Sequence, residues 1–246
     1  MVAGASEGTS LAFARHLASE ANNCVLVARR AESLEKPAAD LRAEFGIKTV
    51  AAPVDLSLPD ACDRVAAAVG AREIGLYVSN AGADSNGSHL LDAPIDKWVC
   101  QVQRGVVTMM RSCHCYGTAM RARGRGGLLL IGSGDCYGGS AYMSVYSGLK
   151  AFGLNFAERL WAELSPHGVD VLYLALSTTD TRALRRLLSA KGLPMIAGLT
   201  DPAEVAAHAL DRLPHGPIAN WGQADDQPGM SPVSAAARRQ RVLAIG

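Results

Sequence analysis

The sequence predicts an α/β fold, a parallel sheet covered by helices, and two observations carry that prediction. Short runs that are almost continuously apolar alternate with longer amphipathic segments, the rhythm of repeated βαβ units. No composition break, internal repeat or long linker divides the 246 residues, so a single domain spans 1–246.

The apolar runs are Cys24–Val27, Thr49–Ala52, Ile74–Val78, Leu128–Ile131 and Val169–Leu174. Strands buried on both faces have this unbroken character, because neither side of the pleat meets water. Between them lie helical patterns from about Thr9 to Glu20, Glu32 to Phe45, Asp60 to Val69, Ile95 to Ala122 and Val145 to Leu164. Pro37 falls inside the second pattern and is expected to delay its start or kink it, since proline removes one backbone donor.

Composition excludes several function classes. With 49% hydrophobic and 19% charged residues the chain is globular rather than disordered. Lys and Arg number 24 against 23 Asp and Glu, a net charge of +1, so the field that non-specific nucleic-acid or anionic-membrane binding needs is absent. Arg121, Arg123 and Arg125 read as cations at a helix C-terminus, and Arg238, Arg239 and Arg241 as a solvated tail. No apolar run reaches the roughly 18 to 20 residues of a membrane span, and the N-terminus lacks a signal-peptide layout, so the expected compartment is the cytoplasm. Six scattered cysteines without a Cys-x-x-Cys spacing are expected to be reduced thiols. Cys113-His114-Cys115 has no second ligand pair at zinc-site spacing, so no metal site is expected.

Three groups of residues point to chemistry. Gly4-Ala5-Ser6-Glu7-Gly8-Thr9-Ser10 is a glycine-rich turn feeding a helix whose apolar positions begin at Leu11. Such a turn lets backbone N–H groups and the helix dipole meet a pyrophosphate, although a Gly/Ser terminus alone would look similar. No Lys follows Gly8, so it is not a Walker A loop. About twenty residues on, the strand ending Val25-Leu26-Val27 runs into Ala28-Arg29-Arg30. An acid there would suit NAD, whereas a guanidinium suits the 2′-phosphate of NADP, which favours NADP(H) over NAD(H). Tyr146 and Lys150 stand four apart on one helix face, where an ammonium stabilises a phenolate and fits the phenol for proton exchange. Ser133, at the end of the preceding strand, is placed to converge with them on one substrate oxygen.

Taken in order, Gly4-Ala5-Ser6-Glu7-Gly8, Asp55-Leu56, Asn80-Ala81-Gly82, Ser133 and Tyr146-Ser147-Gly148-Leu149-Lys150 resemble a short-chain dehydrogenase/reductase of the classical type over nearly the whole chain. The resemblance implies a Rossmann-like, doubly wound sheet of seven parallel strands with NADP(H) over the strand C-termini. It implies Gly4, Ser6 and Gly8 at the phosphates, Arg29 with Arg30 at the 2′-phosphate, Asp55 and Leu56 beside adenine, and Asn80, Ala81 and Gly82 near the adenosine and central strands. Thr181, with Thr179 before it, is implied at the carboxamide or a phosphate. Tyr146 is implied as general acid/base, Lys150 as the residue that lowers its pKa and holds the nicotinamide ribose, and Ser133 as the hydrogen-bond donor to the reacting oxygen. A homodimer or homotetramer packed through the two long helices is also implied.

The chain departs from the family pattern at four places. Only Met1-Val2-Ala3 precede Gly4, so the central strand is expected to be a stub of low stability, or to begin upstream. Ser10 replaces the third glycine, a mild change if its side chain points away from the helix–strand contact. Gly105 stands where the family carries an Asn that fixes a relay water behind Lys150; a mid-helix glycine also costs roughly 1 kcal/mol relative to alanine. Leu176-Ser177 replaces the customary Pro-Gly.

Residues 182–199 have Ala183, Leu184, Leu187 and Leu188 at helical spacing before Leu193, Met195 and Ile196, which suits either an apolar substrate lid or ordinary core contacts. Asp135, Tyr137 and Tyr142 are candidate pocket-lining groups. The expected activity is NADP(H)-dependent interconversion of an alcohol and a carbonyl on a fairly hydrophobic small molecule. A catalytically weak NADP(H)-binding sensor or interaction protein, or a redox-neutral reaction on the same fold, are the competing readings.

Overall fold

Residues 1–82, 88–137, 143–190 and 192–221 are described by the computed structural model of the protein. Tyr142, Arg238, Arg239 and Arg241, singled out above, lie outside the described residues. The strands are β1 (Val2–Ala3), β2 (Cys24–Ala28), β3 (Thr49–Pro53), β4 (Leu76–Ser79), β5 (Gly126–Ile131), β6 (Val169–Leu176) and β7 (Ile218–Trp221). They form one seven-stranded sheet in the order β3-β2-β1-β4-β5-β6-β7, and every pairing is parallel. This is the doubly wound, Rossmann-like arrangement. Chain direction around the sheet reverses between β1 and β4, and the crevice outside the strand C-termini there is where such folds receive ligands.

The helices are α1 (Gly8–Ser19), α2 (Glu32–Phe45), α3 (Ala61–Val69), α4 (Ile95–Val102), α5 (Thr108–Arg123), α6 (Ser144–Leu164), α7 (Arg182–Ala190) and α8 (Pro202–Arg212). Alternate residues of each strand serve the two faces. Val2, Leu26, Leu129 and Leu172 pack with Phe13 of α1, Leu34 and Leu41 of α2 and Val205 of α8. Ala3, Val27, Leu128 and Leu130 pack on the other face with Val65 of α3, Met120 of α5 and Leu154 and Trp161 of α6. Buried on both faces, the strands need the continuous apolar runs that the sequence displays.

β1 is as short as the sequence suggests, yet it is bonded on both sides. Val2 and Ala3 pair with Leu26 and Val27 of β2 and with Val78 and Ser79 of β4. The ladder is extended where the Val78 N–H donates to the Met1 carbonyl (2.9 Å) and the Gly4 and Ala5 N–H groups both donate to the Val27 carbonyl (2.8 and 2.9 Å).

Three sequence expectations are corrected. The long pattern from Ile95 to Ala122 is not one α-helix, because Gln103–Val107 form a π-helical turn between α4 and α5. Of the two effects expected of Pro37, the delayed start is not seen, because α2 starts at Glu32. The fourth strand begins at Leu76 rather than Ile74, whose carbonyl accepts from the Arg123 guanidinium at the end of α5 (2.5 Å) instead of joining the sheet. Cys113 is buried and Cys115 exposed, so the two thiols flanking His114 face opposite ways on α5.

Candidate active site

The glycine turn leaves β1 at the switch point. Gly4 has φ +84°, a conformation that side chains resist, and a Cβ there would stand 3.3 Å from the Asn80 carbonyl and 3.3 Å from Ser10 Oγ. Glu7 is the N-cap of α1 and makes no side-chain cap bond. The chain thus forms a tight cradle and keeps the first-turn N–H groups of α1 free of a side-chain cap, which fits the pyrophosphate of a dinucleotide. Ser10 does not meet the condition for a mild change, since its side chain points into the contact between α1 and the strands. It is buried, donates to the Ala3 carbonyl at 3.5 Å and accepts from Asn80 Nδ2 at 2.7 Å, so it ties the turn to the end of β4. Its polarity is legible in sequence, but its partner 70 residues away is not.

At the end of β2, Arg29 and Arg30 are exposed. Asp55 follows β3 and accepts from the Ser57 N–H (2.9 Å) and hydroxyl (2.6 Å). Partial burial raises its carboxyl, but the Ser57 hydrogen bonds, then the Arg29 and Arg104 charges, outweigh this and leave its pKa below the ordinary value. Asp55 and Arg29 therefore face a common region beside the cradle. Leu56 is a core residue, buried in its side chain, and its carbonyl accepts from Thr108 Oγ1 at 2.8 Å.

Lys150 is the centre of the other half. Its ammonium is buried, donates to the Ile131 carbonyl at 2.9 Å and lies 5.4 Å from the centroid of the Tyr146 ring. A Cβ on Gly82 would stand 3.8 Å from Lys150 Nζ, so the bare backbone after β4 forms one wall of its chamber. Burial lowers the Lys150 pKa to about 8, opposed by the neighbouring Cys136 and Asp135. A cavity the size of about one water molecule opens against Lys150, bounded by Ser79, Asn80, Gly82, Gly105 and Ile131.

Gly105 sits in the π-helical turn. A Cβ there would approach Leu149 Cδ1 to 3.3 Å and Cδ2 to 3.4 Å. Leu149 thus packs over Gly105 and takes the direction in which a side chain at 105 would leave the backbone. An Asn placed at 105 would have to displace it.

Sequence reasoning missed Tyr173. This buried residue of β6 donates its hydroxyl to the Lys150 carbonyl (3.0 Å). Its ring passes so close to Gly132 that a Cβ there would stand 2.0 Å from Cζ, and a Cβ on Gly153 would stand 3.1 Å from Cε2. Two glycines, one after β5 and one on α6, therefore make the slot that lets the phenol brace α6 at Lys150. No short-range pattern announces such a slot.

Ser133, just beyond β5, is half-buried. Its hydroxyl donates to Asp135 Oδ2 at 2.9 Å and accepts from the Asp135 N–H at 3.3 Å. Asp135 is thereby a partner of Ser133 rather than a simple wall, and Tyr137 is tied through its hydroxyl to Asn220 Oδ1 of β7 (2.8 Å). After β6, Thr179 pairs with Thr200 and accepts from its hydroxyl at 3.1 Å. Thr181 accepts from the Leu184 N–H at 3.1 Å at the start of α7. A Cβ on Gly8 would meet the Thr181 methyl at 3.2 Å, so this segment lies across the glycine turn. Leu188 is buried, whereas Leu193, Met195 and Ile196 are about half exposed.

A switch-point crevice with a glycine turn at a helix N-terminus on one side and a buried lysine beside a tyrosine on the other is the arrangement of the dinucleotide-binding α/β class. The comparisons with known proteins make this specific: residues 1–192 match the short chain dehydrogenase family, to which the chain belongs. It is 31% identical over 215 residues to the 7beta-hydroxysteroid dehydrogenase of Mediterraneibacter gnavus, covering 87% of this chain and 81% of that protein. It is 31% identical over 192 residues to the very-long-chain 3-oxoacyl-CoA reductase of Podospora anserina, covering 76% of this chain and 56% of that one. Among solved structures, a 7beta-hydroxysteroid dehydrogenase superposes with a TM-score of 0.84 at 26% identity, over 98% of this chain and 95% of that one. A short-chain dehydrogenase from Sphingobium yanoikuyae in complex with NADPH gives 0.82 at 25% identity, over 99% and 91%.

The buried ammonium generates a stability prediction. The unfolded chain keeps the lysine proton up to its ordinary 10.5, while the folded protein releases it near 8. Between those values the unfolded state binds more protons, so this site's contribution to stability rises with pH; below pH 8 the buried charge is a constant cost. Replacing Lys150 by Met removes the titration. Denaturant unfolding of both cofactor-free proteins should find wild type gaining on Lys150→Met by up to about 3 kcal/mol between pH 7.5 and 10; a difference independent of pH would contradict it.

Proposed function

We propose that the protein is an NADP(H)-dependent alcohol dehydrogenase/carbonyl reductase acting on a fairly hydrophobic small molecule. The observation that carries the reading is the buried Lys150 ammonium beside the Tyr146 ring, with Ser133 at the end of the neighbouring strand. A protein that only bound nucleotide would have no need for a serine and a tyrosine beside that lysine.

In this reading Gly4, Ser6 and Gly8 hold the pyrophosphate, Asp55, Leu56, Asn80, Ala81 and Gly82 line the adenosine side, and Thr179 and Thr181 close over the phosphates or carboxamide. Arg29 and Arg30 take the 2′-phosphate, which agrees with the NADPH held by the Sphingobium neighbour and by the L-sorbose reductase of Gluconobacter frateurii, a second structural relative (TM-score 0.75, 25% identity, 86% of this chain and 88% of that one). The bound nicotinamide supplies or accepts the hydride. Tyr146 gives a proton to the substrate oxygen during reduction and takes it during oxidation. Lys150 stabilises the phenolate left behind and holds the nicotinamide ribose.

Ser133 has one proton, and in the resting protein it points to Asp135. To polarise a carbonyl the hydroxyl must turn from that carboxylate to the substrate, which opposes the reaction by the strength of a charge-assisted hydrogen bond. The half-exposed Leu193, Met195 and Ile196 serve as an apolar lid of the 182–199 segment. Hydrophobic substrates agree with the steroid and very-long-chain acyl names of the relatives. Ile95, Val99 and Phe152 expose apolar surface on α4 and α6, which supports a homodimer or homotetramer through these helices. A cytoplasmic enzyme is part of this reading; no helix among the described residues is long and apolar enough to cross a membrane.

Leu149 packed over Gly105 supports a second reading, a weakened enzyme that works chiefly as an NADP(H) sensor. A panel of oxosteroids, 3-oxoacyl thioesters and simple ketones with their alcohols separates the two, since turnover of any member rules out the sensor.

Two results are expected. Tyr146→Phe abolishes turnover while equilibrium titration finds NADPH binding intact and tighter than NADH binding; retained turnover would remove Tyr146 from its role. Asp135→Asn raises kcat/KM for carbonyl reduction about three- to tenfold by releasing the Ser133 hydroxyl, and the gain disappears in a Ser133→Ala background. A gain that survives there would disprove the coupling.

A further inference from the structure

We propose that Arg186, carried to the glycine turn on α7, is a ligand of the dinucleotide pyrophosphate and masks the Glu7 carboxylate there. The inference rests on the dinucleotide-binding reading above and goes beyond it, because α7 belongs to no part of the cofactor site read from the sequence.

Glu7 lies inside the turn, between Ser6 and Gly8, at the N-terminus of α1. A carboxylate there opposes the anion that the cradle is shaped for, since it cancels the positive end of the helix dipole. The chain supplies the neutralising charge from 179 residues downstream, where an Arg186 Nη2 of α7 donates to Glu7 Oε1. Its neighbour behaves differently: Arg185 forks onto Asp180, just ahead of α7, at 2.6 and 2.5 Å. Arg186 is the arginine of this helix whose partner belongs to the turn itself.

Packing places that guanidinium close to the cradle. The Thr181 methyl would meet a Cβ on Gly8 at 3.2 Å, so the start of α7 lies directly across the turn. Glu7 takes one guanidinium nitrogen and the Arg182 carbonyl accepts from Nε at 3.2 Å. A guanidinium carries five N–H donors, so these two contacts leave others to reach phosphate oxygens. The pair carries no net charge, so Arg186 cancels the carboxylate's opposition to an anion in the turn while its remaining N–H groups are available to phosphate. Both side chains are partly solvent-exposed, 61% for Arg186 and 29% for Glu7, so either can be changed without opening the core.

Fluorescence titration of the full chain with NADPH, and competition by ADP-ribose and adenosine 2′-monophosphate, tests this. Arg186→Gln should weaken NADPH and ADP-ribose by about tenfold, because it removes a phosphate ligand and unmasks Glu7. Glu7→Gln should leave both unchanged or tighter. The double variant should recover only the share due to Glu7 and stay about threefold weaker than wild type, whereas full recovery would mean that Arg186 masks Glu7 without touching phosphate. Adenosine 2′-monophosphate, which has no pyrophosphate, should change by less than about twofold throughout. If the pair were only a strap between two elements, both single variants would break it and act alike. The inference is overturned if Glu7→Gln weakens NADPH as Arg186→Gln does, if Arg186→Gln changes affinity by less than about threefold, or if adenosine 2′-monophosphate follows NADPH. Failure of the wild type to bind any of the three would instead remove the dinucleotide-binding reading beneath it.

Discussion

A single ammonium, buried and bonded to the carbonyl that ends β5, determines how the middle of this molecule is built. An isolated charge in the interior carries a large desolvation cost, and Lys150 meets it with the Ile131 carbonyl and the nearby Cys136 and Asp135. The surroundings make room for this one group. Gly82 leaves the backbone bare beside Nζ, while Gly132 and Gly153 clear the slot through which Tyr173 reaches the Lys150 carbonyl from β6. Stability is given up at this buried charge, and the well-packed apolar layers on both faces of the sheet offset it.

Topology turns that local arrangement into a site. Because β1 and β4 are neighbours at the switch point, the turns following them meet through Gly4, Ser10 and Asn80. β5 adds Ser133 and the carbonyl of Ile131, and the segment after β6 adds Thr181 across the turn. Each candidate side chain leaves the C-terminal end of a different strand or sits on the helix behind it. Only the parallel sheet brings together residues that lie from 4 to 181 in the chain.

Local chemistry was legible in the sequence, and long-range packing was not. The unbroken runs marked β2, β3, β5 and β6 because burial on both faces leaves no room for polar alternation. The glycine turn and the shared helix face of Tyr146 and Lys150 were legible because each depends on neighbours within a turn of chain. The π-helical turn at Gln103–Val107 carries no compositional mark, and Gly105 made sense only once Leu149 was found packed over it. Ser10 looked like a mild substitution because its partner is far away in sequence. Tyr173 reads as one more apolar strand residue until Gly132 and Gly153 are seen on either side of it.

The central claim of the proposed function is that the buried ammonium stabilises the Tyr146 phenolate, and the ultraviolet absorbance of phenolate tests this without substrate or cofactor. Burial pushes Tyr77, Tyr116 and Tyr173 above the ordinary tyrosine range, so they stay protonated while Tyr146 titrates. A pH titration of wild type minus Tyr146→Phe should reveal one phenol ionising well below the ordinary value of about 10, moved back up in Lys150→Met. If no phenol titrates early, or the early one stays where it is without the lysine, the account of this site is wrong.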